Sequence, residues 1–171
     1  MTGNLINNDT DDLILIDEFK NGNINAYNTL VRKYQKKIYS LIRKMVLDHD
    51  DASDITQEVF IKLYSSLKDF RGESKFFTYI YRIAVNYSIN HLNKKNRILS
   101  RSADIENESY HLSSDEAGAD EKFDSDLKSK FLDKAIGLLP EQQRIVFNLR
   151  FYENLSYEEI SQITNKSVGG M

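Results

Sequence analysis

Lys75, Tyr79, Arg82, Asn86, Asn90 and Asn93 carry complementary chemistry at helical spacing in the middle of the chain. On a helix turning 100° per residue they fall within about 80° of one another. Cations neutralise phosphates, amides read base edges, and a phenol ring offers a stacking surface to an unpaired base. The opposite side carries Phe77, Ile80, Tyr81, Ala84 and Tyr87, so the helix is amphipathic. A second stripe, Asp54, Gln57, Glu58 and Ile61, has the opposite sign and suits docking on a basic partner helix. Taken singly, either stripe is equally an ordinary solvated helix face. The chain has no Cys, which excludes disulfides, thiolate metal sites and a cysteine nucleophile.

The elements that must position these stripes read as helices. Thr10 can cap a helix over 11–21, which Gly22 can stop. Asn23 can cap the next, where Tyr27, Leu30, Val31, Tyr34, Ile38, Leu41, Ile42 and Met45 form one apolar face. A third helix is expected over 51–68, with Ile55, Val59, Phe60, Leu63 and Leu67. The segment 69–73 breaks it, and Ser74 can cap a fourth helix over 75–96. Few Gly and a single Pro argue against an all-β chain of tight turns. The longest apolar runs, such as Leu13 to Ile16, fall far short of the roughly 18 residues of a membrane span. Acidic Asp9, Asp11 and Asp12 are unlike a signal peptide.

Net charge is −3, but the average hides a segregation. Residues 1–102 carry 16 Lys+Arg against 12 Asp+Glu, and residues 103–171 carry 7 against 14. Residues 103–126 alone hold nine acids and one Lys. Such a segment, poor in apolar groups, cannot bury enough surface to offset chain entropy and reads as a flexible linker. Helical pattern returns at Leu127, with Phe131, Leu132, Ala135 and Leu138 on one face. Pro140 fits the first turn of a following helix containing Ile145, Val146, Leu149 and Phe151. Ser156 and Glu159 form a capping box for a short helix through Ile160 and Ile163, and Asn165 suits its left-handed end. These two helices match the supporting half of a helix-turn-helix; a small unrelated helical hairpin is the plain alternative.

The order of these features is informative. The stretch Asp51-Ala-Ser-Asp-Ile-Thr-Gln-Glu-Val-Phe-Ile-Lys-Leu-Tyr, then Phe70-Arg-Gly-Glu-Ser, then Phe77-Thr-Tyr-Ile-Tyr-Arg-Ile-Ala-Val-Asn resembles region 2 of an extracytoplasmic-function (ECF) sigma factor. The later Leu139-Pro-Glu-Gln-Gln-Arg-Ile-Val-Phe-Asn-Leu-Arg-Phe-Tyr-Glu-Asn-Leu-Ser-Tyr-Glu-Glu-Ile resembles the start of region 4. The resemblance implies an all-α protein with a region 2 domain over 1–99, an acidic linker over 100–126 and a partial region 4 over 127–171. It implies a cytoplasmic subunit of transcription initiation, not an enzyme, with core RNA polymerase, promoter DNA and an anti-sigma factor as partners, and neither cofactor nor membrane insertion.

By the same resemblance Asp54, Gln57, Glu58, Phe60, Ile61 and Tyr64 fall where the family docks on the clamp helices of the polymerase largest subunit. Phe70, Arg71, Gly72, Glu73 and Ser74 fall where it captures a base flipped out of the minus-ten element. Lys75, Tyr79, Arg82, Asn86 and Asn90 fall where it meets DNA at the point of strand opening. The linker falls where the family threads a segment through polymerase channels. Ser167-Val168-Gly169 would open the helix that reads the minus-35 element, and only Gly170 and Met171 follow. Specific minus-35 contact is therefore not expected, and residues 127–171 are expected to be loosely held. Two other functions compete: a non-initiating decoy that occupies polymerase or an anti-sigma factor, and, remotely, a metal-dependent phosphohydrolase built on His49-Asp50. The second lacks a metal-binding His earlier in the chain, because His49 is the first of three.

Overall fold

A computed structural model describes residues 3–103 and 135–167, with side chains for 11–101 and 135–167. All regular elements among the described residues are helical. Four long helices come first: α1 (Gly3–Lys20), α2 (Ile24–Val46), α3 (His49–Ser66) and α4 (Phe76–Ala103). A 3₁₀ turn, Leu67–Asp69, follows α3. The C-terminal part is α5 (Glu141–Phe147), a π-helical turn over Asn148–Tyr152, and α6 (Tyr157–Thr164).

The helix ends follow from local chemistry. Gly22, at φ +97, stops α1, since that backbone conformation is strained for other residues. Asn23 caps α2 through its side chain, which accepts the Asn25 N–H at 3.1 Å. Leu47 closes α2 in the left-handed conformation, its N–H donating to Arg43. Asp48 caps α3 by accepting the Asp51 N–H at 2.9 Å. Ser156 and Glu159 form the expected capping box on α6, and Asn165 ends it at φ 55. The expected Ser74 cap is replaced: α4 opens at Phe76, and the carbonyl of Lys75 receives the Tyr79 N–H. Helix α1 begins eight residues before the expected Asp11, and α4 runs past residue 99 to Ala103.

The core lies among α1–α4. Leu30, Ile38, Leu41, Ile42 and Met45 of α2 are wholly buried against Ala52, Ile55, Val59 and Leu63 of α3 and Ile80, Tyr81, Ala84 and Val85 of α4. Each such Leu or Ile stabilises by about 1.5–3 kcal/mol relative to exposure. Asp12 of α1 is fully buried, and a buried carboxylate needs partners. It has two on α2: Lys33 Nζ at 2.6 Å and the Tyr34 hydroxyl at 2.5 Å. The Tyr27 hydroxyl donates to the Phe60 carbonyl at 2.6 Å, and burial raises its pKa to about 12.

The C-terminal unit joins this core rather than standing apart. Ile145, Leu149, Leu155, Ile160 and Ile163 are buried in the same apolar cluster as the α1–α4 residues. Three polar ties accompany them: Tyr81 Oη donates to Glu153 at 2.7 Å, Arg82 Nε to the Gln162 carbonyl at 3.0 Å, and Asn148 Nδ2 to the Lys44 carbonyl at 3.2 Å. Residues 135–167 are thus packed, where the sequence leads one to expect a loose end. Part of that packing is made at the π turn. It widens the helix so that Asn148 and Leu149 point inward, while Phe151 is left 63% exposed. Leu138, expected on an apolar face, is 80% exposed, and its neighbour Ile136 is buried instead. The acidic linker from residue 104 onward, the 127–134 stretch and, beyond Ser167, the expected Ser167-Val168-Gly169 start of the minus-35 helix lie outside the described residues.

Candidate nucleic-acid interface

The 3₁₀ turn, the loop after it and the first two turns of α4 enclose a cleft of about 560 Å³. Phe70, Arg71, Glu73 and Ser74 come to it from the loop, Tyr79 and Arg82 from α4, Ser66 from the end of α3 and Asp69 from the 3₁₀ turn. The structure therefore brings the loop and the α4 stripe together at one place. Gly72, at φ +73, makes the turn, and a Cβ there would have nothing within 4 Å, so the glycine serves backbone conformation rather than close packing. The cleft is chemically mixed. Two guanidinium groups can meet phosphate or a base carbonyl, two carboxylates can accept from exocyclic amines, and three hydroxyls can do either.

Phe70 is buried rather than presented to a ligand. Its ring lies 4.9 Å from that of Tyr79 and 6.1 Å from that of Phe76, centroid to centroid. It forms the floor on which Tyr79 rests, and Tyr79 is half-buried in consequence. Buried Phe76, Ile80, Ala84 and Val85 define the inner side of α4, where the sequence points to Phe77 and Tyr87, which are only partly buried. That rotation leaves Tyr79 and Arg82 flanking the core, while Lys75, Asn86, Asn90 and Asn93 are exposed. The Arg82 guanidinium is also engaged from above by α6 through Gln162. Ser66 and Asp69 carried no signal in the sequence, because only the 3₁₀ turn brings the end of α3 against the loop.

The acidic stripe lies on a different face. Asp54, Gln57, Glu58, Ile61 and Tyr64 of α3 are exposed, and Phe60 is half-buried. Ile61, at 70% exposure, is an apolar side chain standing among carboxylates. The Tyr64 ring packs edge-on against Phe19 and Tyr27 at 5.2 and 5.1 Å. At the N-terminal end of the same helix, Asp51 reaches Lys95 of α4 at 2.9 Å, and that hydrogen bond holds its carboxyl below the usual range. His91 Nε2 lies 3.1 Å from the same oxygen without hydrogen-bond alignment.

The phosphohydrolase reading finds no support. His49 meets the Tyr39 hydroxyl at 2.6 Å, and among the described residues no three His, Asp or Glu gather as a metal site. Among the same residues no helix is long and apolar enough to cross a membrane.

Two family models match the chain: Sigma-70 region 2 over residues 30–98 and Sigma-70, region 4 over residues 132–171. The chain is 37% identical over 164 residues to the ECF RNA polymerase sigma-E factor of Haemophilus influenzae, covering 92% of this chain and 86% of the relative. It is 36% identical to the RNA polymerase sigma-H factor of Pseudomonas aeruginosa, covering 91% and 83%. In fold it is similar to the sigma factor RpoE solved in complex with the anti-sigma factor NepR from Bartonella quintana. There the TM-score is 0.62 and the identity 20%, over 84% of this chain and 85% of that one.

Proposed function

The chain belongs to the sigma-70 family of RNA polymerase sigma factors, in its ECF group, and from that premise we propose how its surfaces divide the work of transcription initiation. Residues 1–99 act as region 2, residues 100–126 as a linker through polymerase, and residues 127–171 as region 4. The exposed α3 stripe of Asp54, Gln57, Glu58, Ile61 and Tyr64 holds the core enzyme, with carboxylates around an apolar centre meeting a basic helical surface. The cleft between the 69–74 loop and α4 takes one base out of the minus-ten element, and Lys75, Asn86 and Asn90 follow the separated strand.

No covalent chemistry is required. Promoter opening needs binding energy that prefers separated strands to duplex. Extruding a base costs a few kcal/mol. Stacking returns about 1–3 kcal/mol per base, and polymerase contacts supply the remainder. The chain has no Trp, so the Trp wedge of housekeeping sigma factors is missing, and capture rests on the cleft. The site of action is the cytoplasm, where polymerase works, and an anti-sigma factor is the expected regulator; the Bartonella structure holds a sigma factor in complex with one.

The observation that carries this reading is the cleft itself, which joins Arg71, Glu73 and Ser74 to Tyr79 and Arg82. Core-polymerase capture and strand binding test its two halves separately. Gln57→Ala with Glu58→Ala is expected to weaken capture, and unchanged capture removes the α3 assignment. Arg82→Ala and Asn86→Ala are expected to weaken binding of single-stranded minus-ten DNA while capture persists. Wild-type strand binding by both variants removes the cleft assignment. Run-off transcription with core enzyme separates initiation from mere occupancy.

A further inference from the structure

The 70–74 loop is a narrow ribbon with open space on both sides. In front is the cleft described above. Behind it, between the ribbon and α1, is a second cleft of about 410 Å³, bordered by Ile16, Asp17 and Lys20 of α1 and by Phe70, Arg71 and Gly72. Few groups therefore hold the ribbon in place. Arg71, Gly72 and Glu73 are exposed, and nothing packs where a Gly72 Cβ would stand. Phe70 is the fixed end. Its N–H donates to the Leu67 carbonyl at 3.2 Å and its ring is buried against Phe76 and Tyr79. Its carbonyl receives Lys20 Nζ at 2.5 Å, from the last turn of α1, across fifty residues of sequence.

That bond fixes the plane of the peptide joining Phe70 to Arg71. The orientation of this plane decides which way Arg71 leaves the buried ring, and so the shape of the cleft beyond it. The helix that supplies the ammonium is itself immobilised. Buried Ile16 and Phe19 and the Asp12 bonds to Lys33 and Tyr34 lock α1 on α2. The Tyr34 ring in turn packs edge-on against Phe76 at 5.3 Å, so the α1 anchor and the loop floor share one aromatic stack. Lys20 is a polar reach from this rigid base to the ribbon.

We propose that Lys20 is a positioning residue for base selection, setting the geometry of the capture loop without touching DNA. This rests on the reading of the cleft as a base pocket. A phosphate-contacting lysine is the competing role, and the two differ in what they change. Losing a phosphate contact weakens binding of all sequences alike and lowers the salt slope by about one. Losing a loop support erodes discrimination between bases and leaves the salt slope unchanged.

The test uses the full chain with a labelled single-stranded DNA library randomised over seven positions, read by selection and sequencing, and then individual strands at several salt concentrations. Wild type is expected to prefer one base at one position. Lys20→Met is expected to cut that preference by about fivefold, within the net range of one partly exposed hydrogen bond. Its thermal midpoint should fall only slightly, since one surface hydrogen bond is lost and no core side chain is touched. Lys20→Arg, which keeps the donor, is expected to restore the preference. Undiminished preference in Lys20→Met, or a uniform loss with a lower salt slope, overturns the inference while leaving the base pocket standing. A wild-type chain with no base preference overturns both.

Discussion

The α1–α4 bundle and the C-terminal unit reach stability by different routes. The bundle makes its own core: α1, α3 and α4 close around α2, whose inner face is apolar but for the Tyr27 and Tyr34 hydroxyls. The C-terminal unit has helices of seven and eight residues, too short to persist alone, and it buries its apolar side chains against its neighbour. Its polar interior shows the same dependence. Asn148 is fully buried and donates through Nδ2 to the Lys44 carbonyl of α2, and buried Arg144 donates to the Gly137 carbonyl at 3.1 Å. Burial lowers the Arg144 pKa. One region carries a core and the other borrows one, which is the physical basis for a joint that can open.

The sharpest way to break that contrast is to damage each side in turn. Ile42→Ala, at a wholly buried site on α2, is expected to cost about 2–5 kcal/mol and to bring down both regions together in urea, followed by circular dichroism. Ile160→Ala, equally buried but on α6, is expected to cost about 2 kcal/mol locally. Hydrogen exchange should then show 141–164 unprotected while α2 and α3 stay protected. A single cooperative loss in both variants would mean that the two regions form one folding unit.

Smaller changes sharpen the boundary. Tyr81→Phe removes the hydroxyl bond to Glu153 and is expected to weaken docking by about 1 kcal/mol, with the bundle's own midpoint nearly unmoved. The Tyr81 phenol is held well above its ordinary pKa, by burial first and then by Glu153. Its contribution is therefore complete below pH 10 and lost only above, so docking should be flat across neutral pH and weaken in alkali. Asp51→Asn, at the α3–α4 staple inside the bundle, is expected to cost under 1 kcal/mol because the pair is solvent-screened. The lowered Asp51 pKa places that contribution above the ordinary carboxylate value and removes it as pH falls through the lowered one. Acid titration of the variant should lack this increment.

Much of the architecture was legible because periodicity and caps are local. The α2 face, the Asn23 cap, the Ser156–Glu159 box and the Asn165 end all stand where residue spacing put them. What spacing could not fix was the rotation of α4. Phe76 and Phe77 sit 100° apart, and only packing against Tyr34 and Phe70 chooses the first as core. The π turn was hidden for a related reason: Asn148 reads as an ordinary helix residue until Lys44 of another helix is beside it. The candidate site was half legible. Its loop and helix residues stand out by type and spacing, but their meeting in one cleft, the contributions of Ser66 and Asp69, and the grip of Lys20 are tertiary facts.

The hydrogen bond from Arg82 to Gln162 has an energetic corollary. A guanidinium held by a carbonyl of its own chain is offered in full to an incoming phosphate only in the fraction of molecules whose two halves have parted. The measured dissociation constant then exceeds that of the parted state by at most the reciprocal of that fraction, because the Gln162 carbonyl takes only Nε. Anything that holds the halves asunder raises apparent DNA affinity by mass action, without a single new contact to the nucleic acid.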